Sequence, residues 1–429
     1  ALGQAASRYR DTVYRQEGFS GKASLSFAEV TAMLDDALAA IDQSIRTNVR
    51  DDSMYHAYNL LELGQSTVGV ERLYVMLEGQ VAALSSGAVS SEKTVELLEA
   101  LFDSAMFRED VNTFMLYPDR GLPRFLEKNR IPTDAVESIP LLGQLLEAGD
   151  DSIFLRDEDG VFRFNSDFAN ARDLTAALDD LAPKYAAEAQ KARQPLVELY
   201  EHVFNHKAFT GRSGTMFGFE GLGSVYWHMV SKLLLAVQER FFAAMDEGED
   251  ESVLRRLGHL YYRVREGLGF NKTPQEFGAF PTDPYSNTPK HAGAQQPGMT
   301  GQVKEEILSR FGELGVRVRD GKVSLQVALL RERELTGSAE PLRFLDVGGS
   351  WQELDIPESG LGFTWCQVPF VYRLDDSAES EMTIKLDDGS EMKLQGLDMP
   401  AELSAELFVR TGRIRRVEVS LRRGQLFPD

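Results

Sequence analysis

Residues 300–330 read TGQVKEEILSRFGELGVRVRDGKVSLQVALL, and the apolar period changes partway through them. Residues 300–311 close a long series of helical segments. After Gly315 the apolar residues alternate, with Val316, Val318, Val323, Leu325 and Val327 on one face about an Asp320-Gly321 turn. Recurrence near 3.6 residues lines up one stripe of a helix, whereas recurrence at two lines up one face of a strand. The chain of 429 residues is also too long for one ordinary core. The expectation is therefore a helical domain at 1–315 followed by a β-domain at 316–429.

Upstream of the switch the helical period recurs. SFAEVTAMLDDALAAIDQSI (residues 26–45) has Ser26 followed three residues later by Glu29, a capping box. Phe27, Val30, Leu34, Leu38, Ile41 and Ile45 then share one stripe, which predicts a helix with a buried face. MYHAYNLLEL (54–63), TVGVERLYVMLEGQVAAL (67–84) and SSEKTVELLEALFDSAMF (90–107) continue the helical series, with Val70, Leu73, Leu77, Val81 and Leu84 at helical spacing. Short Gly/Ser links predict antiparallel helical hairpins. Residues 108–132 break the rhythm with three prolines and read as a long loop with at most a short helix near Phe125. A short helix at 138–150, a β-hairpin turning at Asp159-Gly160, a helix at 170–185 and a long helix over about 186–206 follow.

Downstream, FTWCQVPFVYRL (363–374), EMTIKLDDGSEMKLQG (381–396), AELFVR (405–410) and IRRVEVSL (414–421) read as short strands between turn signals. Such spacing predicts an antiparallel β-sandwich.

Charge and cysteine content narrow the function classes. With 46 basic against 67 acidic residues the formal net charge is -21. That field repels phosphate backbones and anionic lipid, so neither a nucleic acid nor a membrane surface is the expected partner; neutral ligands such as sugars are unaffected. The single cysteine, Cys366, excludes an intrachain disulfide and a multi-cysteine zinc site. It fits a reducing compartment, the bacterial cytoplasm, with the periplasm as the alternative. No apolar run nears the roughly 20 residues that span a bilayer. The opening ALGQAASRYR has neither a basic nor an apolar signal region, so no signal peptide is expected.

Candidate site residues concentrate in two stretches, GRSGTMFGFEGLGSVYWHMVSKLLLAVQE (211–239) and GFNKTPQEFGAFPTDPYSNTPKHAGAQQPGMTGQVKEE (269–306). Both are dense in Gly, aromatic, amide and single charged residues, which suits a polar pocket better than a packed core. The first leads onto a helix N-terminus, where free N–H groups receive oxygen-rich ligands. Among many carboxylates whose default is a solvated face, Glu220 before that helix and Asp283 between prolines and aromatics stand out as catalytic candidates. Asp110, Asp119, Arg212, His228, Lys272, Tyr285, His291, Gln295 and Gln296 are the substrate-binding candidates. Amides pair donor with acceptor as vicinal sugar hydroxyls require. His228 sits at the edge of an apolar helical stripe, where a hydrogen-bonded structural role competes with ligand contact.

Other chemistries fit less well. His202 and His206 stand at i, i+4 without a third-ligand context, so no metal is expected. Ser213 and Ser224 lack a nucleophile elbow. GFEGLGS (218–224) follows a loop, not a strand, which argues against a dinucleotide, and there is no Walker A sequence; no cofactor is expected.

A helical-hairpin array followed by a β-domain resembles the six-hairpin glycosidases and cellobiose-phosphorylase-like enzymes. DDSMYHAYNLLEL, YVMLEGQVAALSSG, LYPDRGLPRFLEKNRIP and the two polar stretches are similar to the C-terminal portion of large bacterial proteins of that layout. The resemblance implies an (α/α) toroid, or part of one, and glycoside hydrolysis or phosphorolysis by acid/base carboxylates, with a saccharide and inorganic phosphate as ligands. A non-catalytic saccharide-binding or assembly subunit is the alternative. The characterised phosphorylases carry an N-terminal β-domain, so the further expectation is association with such a portion or with other copies of the chain. No catalytic motif is carried over residue by residue.

Overall fold

The computed structural model describes residues 2–15, 22, 24–64, 66–118, 124–205, 225–268, 272–273, 287–288, 300–377 and 379–428. Helices α1 (Leu2–Tyr14) and α2 (Phe27–Thr47) come first. The hairpin β1 (Asn59–Leu63) and β2 (Val68–Arg72) leads into α3 (Leu77–Ser85), α4 (Ser91–Phe102) and the short pair β3 (Phe107–Arg108) and β4 (Thr113–Phe114). Then come α5 (Phe125–Lys128), α6 (Thr133–Ser138), α7 (Pro140–Ala148), β5 (Phe154–Arg156), β6 (Phe162–Phe164), α8 (Ala171–Asp179) and α9 (Ala186–Phe204). Past β7 (Val225–Tyr226) lie α10 (Trp227–Glu247), α11 (Glu251–Glu266), β8 (Asn287–Thr288) and α12 (Thr300–Glu313).

Two separate apolar cores fill this half. The first joins Leu77, Leu84, Leu98 and Leu101 of α3 and α4 to Leu233, Val237, Phe241, Leu257 and Tyr261 of α10 and α11. The second runs from Ile131 to Phe204 and draws every buried member from that interval, including Leu141, Leu142, Leu174, Leu196 and Tyr200. The chain thus leaves the first core at Tyr117, builds the second, and rejoins the first at Val225.

The N-terminal region departs from expectation. The capping box forms, with the Ser26 N–H donating to Glu29 Oε2 at 2.8 Å and the Glu29 N–H to Ser26 Oγ at 3.2 Å. The stripe it introduces is not buried: Phe27 is 95% exposed and Leu38 59%, and only Ile45 of the stripe packs on the first core. Residues 59–72, expected to be helical, form a hairpin with Leu61 opposite Val70 and Leu63 opposite Val68. Val68-Gly69-Val70 combines β-branched residues with a glycine, both poor in helices, and their alternation fits a strand as well as their spacing fits a helix.

The C-terminal half is β-rich and mostly antiparallel. β9 (Val316–Arg319) and β10 (Lys322–Leu325) turn at Asp320 and Gly321, both left-handed. After β11 (Glu340–Leu345) and β12 (Trp351–Ile356) come β13 (Gly360–Trp365), β14 (Val368–Leu374), β15 (Glu381–Leu386), β16 (Glu391–Gln395), α13 (Ala401–Val409) and β17 (Ile414–Leu421). The last five strands make one sheet in the order β13-β14-β17-β15-β16, antiparallel except where β14 meets β17. Val323 and Leu325 of β10 and Leu403 and Leu407 of α13 pack in one core with Phe370, Ile384 and Val417 of the sheet. A hairpin and a helix therefore back this sheet, where two facing sheets were expected. Of residues 405–410, expected as a strand, 405–409 belong to α13 and Arg410 caps it in the left-handed region; AELSAEL buries Leu403, Ser404 and Leu407 on one side.

Buried polar contacts tie α12 to α11 and the helical half to the β-rich half. Glu313, at the end of α12 and 1% exposed, accepts from Tyr261 at 2.7 Å, Arg265 at 3.2 Å and Arg310 at 2.7 Å. Arg310 also pairs with Glu334, and the Tyr372 hydroxyl donates to the Leu314 carbonyl at 2.6 Å. No described helix is long and apolar enough to cross a membrane.

Candidate functional site

The chain around the polar stretches is held together at three places. β7, within the 211–239 stretch and immediately before α10, pairs antiparallel with β8 inside the 269–306 stretch, Val225 opposite Thr288 and Tyr226 opposite Asn287. α12 packs along α10. Lys272 is 7% exposed, and its Nζ donates to the Val111 carbonyl. Gly267 is pressed so closely on the same loop that a Cβ there would lie 2.4 Å from the Asn112 carbonyl oxygen. The described parts of the 108–118, 211–239 and 269–306 segments are thus neighbours.

Of the candidates, Asp110 is described as an exposed carboxylate taking Arg108 Nε at 3.0 Å. His228, in the first turn of α10, lies 3.5 Å from Glu305 Oε1, with the two side chains 15% and 6% exposed. Burial, aided by the Lys232 charge, lowers the His228 pKa; Glu305 acts in the opposite sense but does not outweigh them. Lys272 is turned to backbone. Glu220, Asp283, Asp119, Arg212, Tyr285, His291, Gln295 and Gln296 lie outside the described residues, as does His206, the second histidine of the i, i+4 pair.

The structure adds a polar seam between α10 and α12 that the sequence did not single out. Gln238 Nε2 donates to the Tyr261 hydroxyl oxygen at 3.2 Å and to the Ser309 carbonyl at 2.7 Å. Gly312 permits this, because a Cβ there would sit 2.1 Å from Gln238 Oε1. Glu306 accepts from Gln302 Nε2 at 3.0 Å, and burial raises its pKa. Burial likewise raises Glu239, and the Glu305 charge adds to that shift. Ser231 Oγ, Ser309 Oγ and Gln302 Oε1 are shielded and lack hydrogen-bond partners among the described residues, and shielded His228 Nε2 approaches Glu305 only to 3.5 Å. A carboxyl held protonated at higher pH than usual can donate to an oxygen, while one beside an imidazole can accept. The available signal was position: Glu305 and Glu306 follow the polar loop directly, on the helix that flanks the glycine-rich one.

Residues 122–207 match a family model described as GH149 phosphorylase insertion domain 2. No curated protein matches the chain. The matched span coincides with the second core, whose buried residues run from Ile131 to Phe204. That agreement relates the unit between the two halves of the first core to an insertion domain of glycoside phosphorylases.

Proposed function

We propose that the protein works on glycosidic bonds as a glycoside phosphorylase, with a saccharide and inorganic phosphate as its substrates. The observation that carries this reading is the match of residues 122–207 to a phosphorylase insertion domain, on a unit that has its own core and interrupts a helical frame. In this reading one carboxylic acid, Glu220 or Asp283, protonates the glycosidic oxygen as its bond to the anomeric carbon breaks. A phosphate oxygen bonds to that carbon, giving a sugar 1-phosphate and a shortened saccharide. Arg212 and His291 neutralise the phosphate. Lys272 positions the 108–118 loop, since its ammonium is committed to the Val111 carbonyl. Asp110, Asp119, His228, Tyr285, Gln295 and Gln296 line the sugar.

The wider reading places the helical half, residues 1–315, as part of an (α/α) toroid, with 316–429 as an accessory domain, in the bacterial cytoplasm. A second reading, a saccharide-binding or assembly subunit, draws on the exposed apolar residues of α2 and of the β1–β2 hairpin, where Leu61, Leu63, Val68 and Val70 are all at least 60% exposed.

Glu220→Gln and Asp283→Asn, each assayed for turnover and for saccharide binding, test the assignment. Loss of turnover with retained binding supports it. Unchanged turnover in both variants sinks the two catalytic assignments, and binding with no turnover in the unaltered protein favours the second reading.

A further inference from the structure

A second concave surface lies in the C-terminal half, between the β11–β12 hairpin and the end of the five-stranded sheet. It encloses about 320 Å³, at the lower end of ligand-sized clefts. Its floor is apolar, with half-buried Phe344 and Leu354 beside Pro369 and Ile414. Its rim is polar and of mixed charge, with Asp346, Gln352, Gln367 and Arg415.

The end wall is built at a conformational cost. β13 and β14 are joined by only Cys366 and Gln367, between the paired Trp365 and Val368, and both have positive φ, 51° and 63°. Two-residue loops of this kind favour Asn-Gly, and cysteine and glutamine are strained there. The Gln367 side chain is pinned from both ends. Its Nε2 donates to the Asp346 carbonyl at 3.1 Å, and Arg410 Nη1 donates to its Oε1 at 3.2 Å. The turn thus ties the Asp346 loop of the β11–β12 hairpin to the sheet along one wall of the cleft, and strained backbone of this kind clusters at functional sites.

The rim groups are only partly engaged. Gln352 Nε2 donates to Asp346 Oδ2 at 2.9 Å, leaving its carbonyl oxygen without a donor among the described residues. Arg415 forms no hydrogen bond or ion pair among the described residues, whereas neighbouring Arg416 and Lys385 are paired with Glu418 and Glu391.

We propose that this cleft is a second saccharide site, separate from the polar loops, that holds about one or two sugar units of a neutral chain. Resting on the reading of the protein as saccharide-acting, it supplies what a sugar ring needs. The Phe344 ring and aliphatic floor take the apolar face, Arg415 donates to adjacent hydroxyls, and Gln352 Oε1 accepts. A phosphate is a poorer occupant, because two of the three cations lining the cleft, Lys385 and Arg416, are already paired with Glu391 and Glu418, while Asp346 and Glu353 stand beside Arg415.

The test titrates the full protein with a panel of neutral linear oligosaccharides of increasing length by calorimetry, and separately with inorganic phosphate. Arg415→Ala, at an exposed position, weakens oligosaccharide binding at this site about tenfold, and Phe344→Ala does the same. Phosphorolysis of a short soluble substrate is unchanged by Arg415→Ala. Turnover together with wild-type oligosaccharide affinity in both variants overturns the cleft assignment alone. Phosphate binding that Arg415→Ala abolishes, with no sugar effect, also overturns it. Absence of both turnover and oligosaccharide binding in the unaltered protein overturns the saccharide reading itself, and the cleft assignment with it.

Discussion

Gly258 and Phe427 are in direct contact: a Cβ on Gly258 would lie 2.0 Å from Phe427 Cε2. The phenyl ring, near the C-terminus, sits on α11 edge-on to His259, with centroids 5.3 Å apart, and tilted against Tyr262 at 5.5 Å. The Phe427 backbone N–H donates to the Leu330 carbonyl at 2.8 Å. The segment around Phe427 therefore closes on the helical core at a position where any side chain would have to displace the ring. Gly258→Ala costs about 1–3 kcal/mol by overpacking, and Phe427→Ala about 3–5 kcal/mol by the void it leaves. In the double variant the methyl occupies vacated space, so chemical denaturation shows a combined loss smaller than the sum. Strict additivity would place the clash elsewhere.

Glu313 ties α12 to α11 close to where the helical half meets the β-rich half. Its carboxylate is buried under Tyr261, Arg265 and Arg310, so removing the charge takes a buried anion from beside two guanidinium groups, of which Arg310 keeps Glu334. Glu313→Gln is expected to destabilise by about 3–5 kcal/mol, measured as a lower denaturation midpoint. A change within about 0.5 kcal/mol would mean the network contributes little.

The α10–α12 seam gives stability a particular pH dependence. Burial raises Glu306, so the fold favours its protonated form. That contribution is complete below the unfolded value near 4.5 and is lost as pH rises through the higher folded value. Glu306→Gln keeps an acceptor for Gln302 and removes the charge. The variant should be the more stable protein at pH 7, with the difference vanishing near pH 4. His228 acts in the other sense: its folded value lies below 6.5, so its contribution is present above 6.5 and lost as pH falls toward that lower value. Equal stability of Glu306→Gln and the parent across this range would count against the buried-acid assignment.

The inserted unit is expected to fold by itself. Leu141, Leu142, Leu145, Leu174 and Leu196 are fully buried within it, and its cluster takes no buried residue from outside 131–204. A fragment of residues 122–207 should give helical circular dichroism and one cooperative transition, and Leu196→Ala should lower its stability by about 2–5 kcal/mol. A fragment without a transition would tie the unit to the rest of the chain.

The switch at Gly315 and the turns at Asp159-Gly160 and Asp320-Gly321 were legible because each rests on local chemistry: a change of period, or a residue that accepts positive φ. Burial of α2 was not legible. Its stripe of Phe27, Leu34, Leu38 and Ile41 carries the same signal whether or not a surface covers it, and among the described residues none does. The β1–β2 hairpin was missed because Val68 and Val70 fit both periods, and 405–410 because a short apolar run does not distinguish strand from helix. Glu305 and Glu306 were hidden for another reason. Their setting depends on α12 lying along α10, a tertiary contact that no local pattern encodes. The inserted unit carried helical segments in its sequence, yet nothing there separated its core from the other.

Phosphate-dependent formation of a sugar 1-phosphate tests the central claim most directly. The protein is incubated with a panel of linear oligosaccharides with and without inorganic phosphate, and followed by phosphorus NMR. The account predicts a sugar 1-phosphate resonance with the substrate saccharide, absent without phosphate, and the reverse reaction when the sugar 1-phosphate is supplied with a shorter acceptor. Saccharide shortening at the same rate with and without phosphate, or no turnover of any saccharide in the panel, would contradict it.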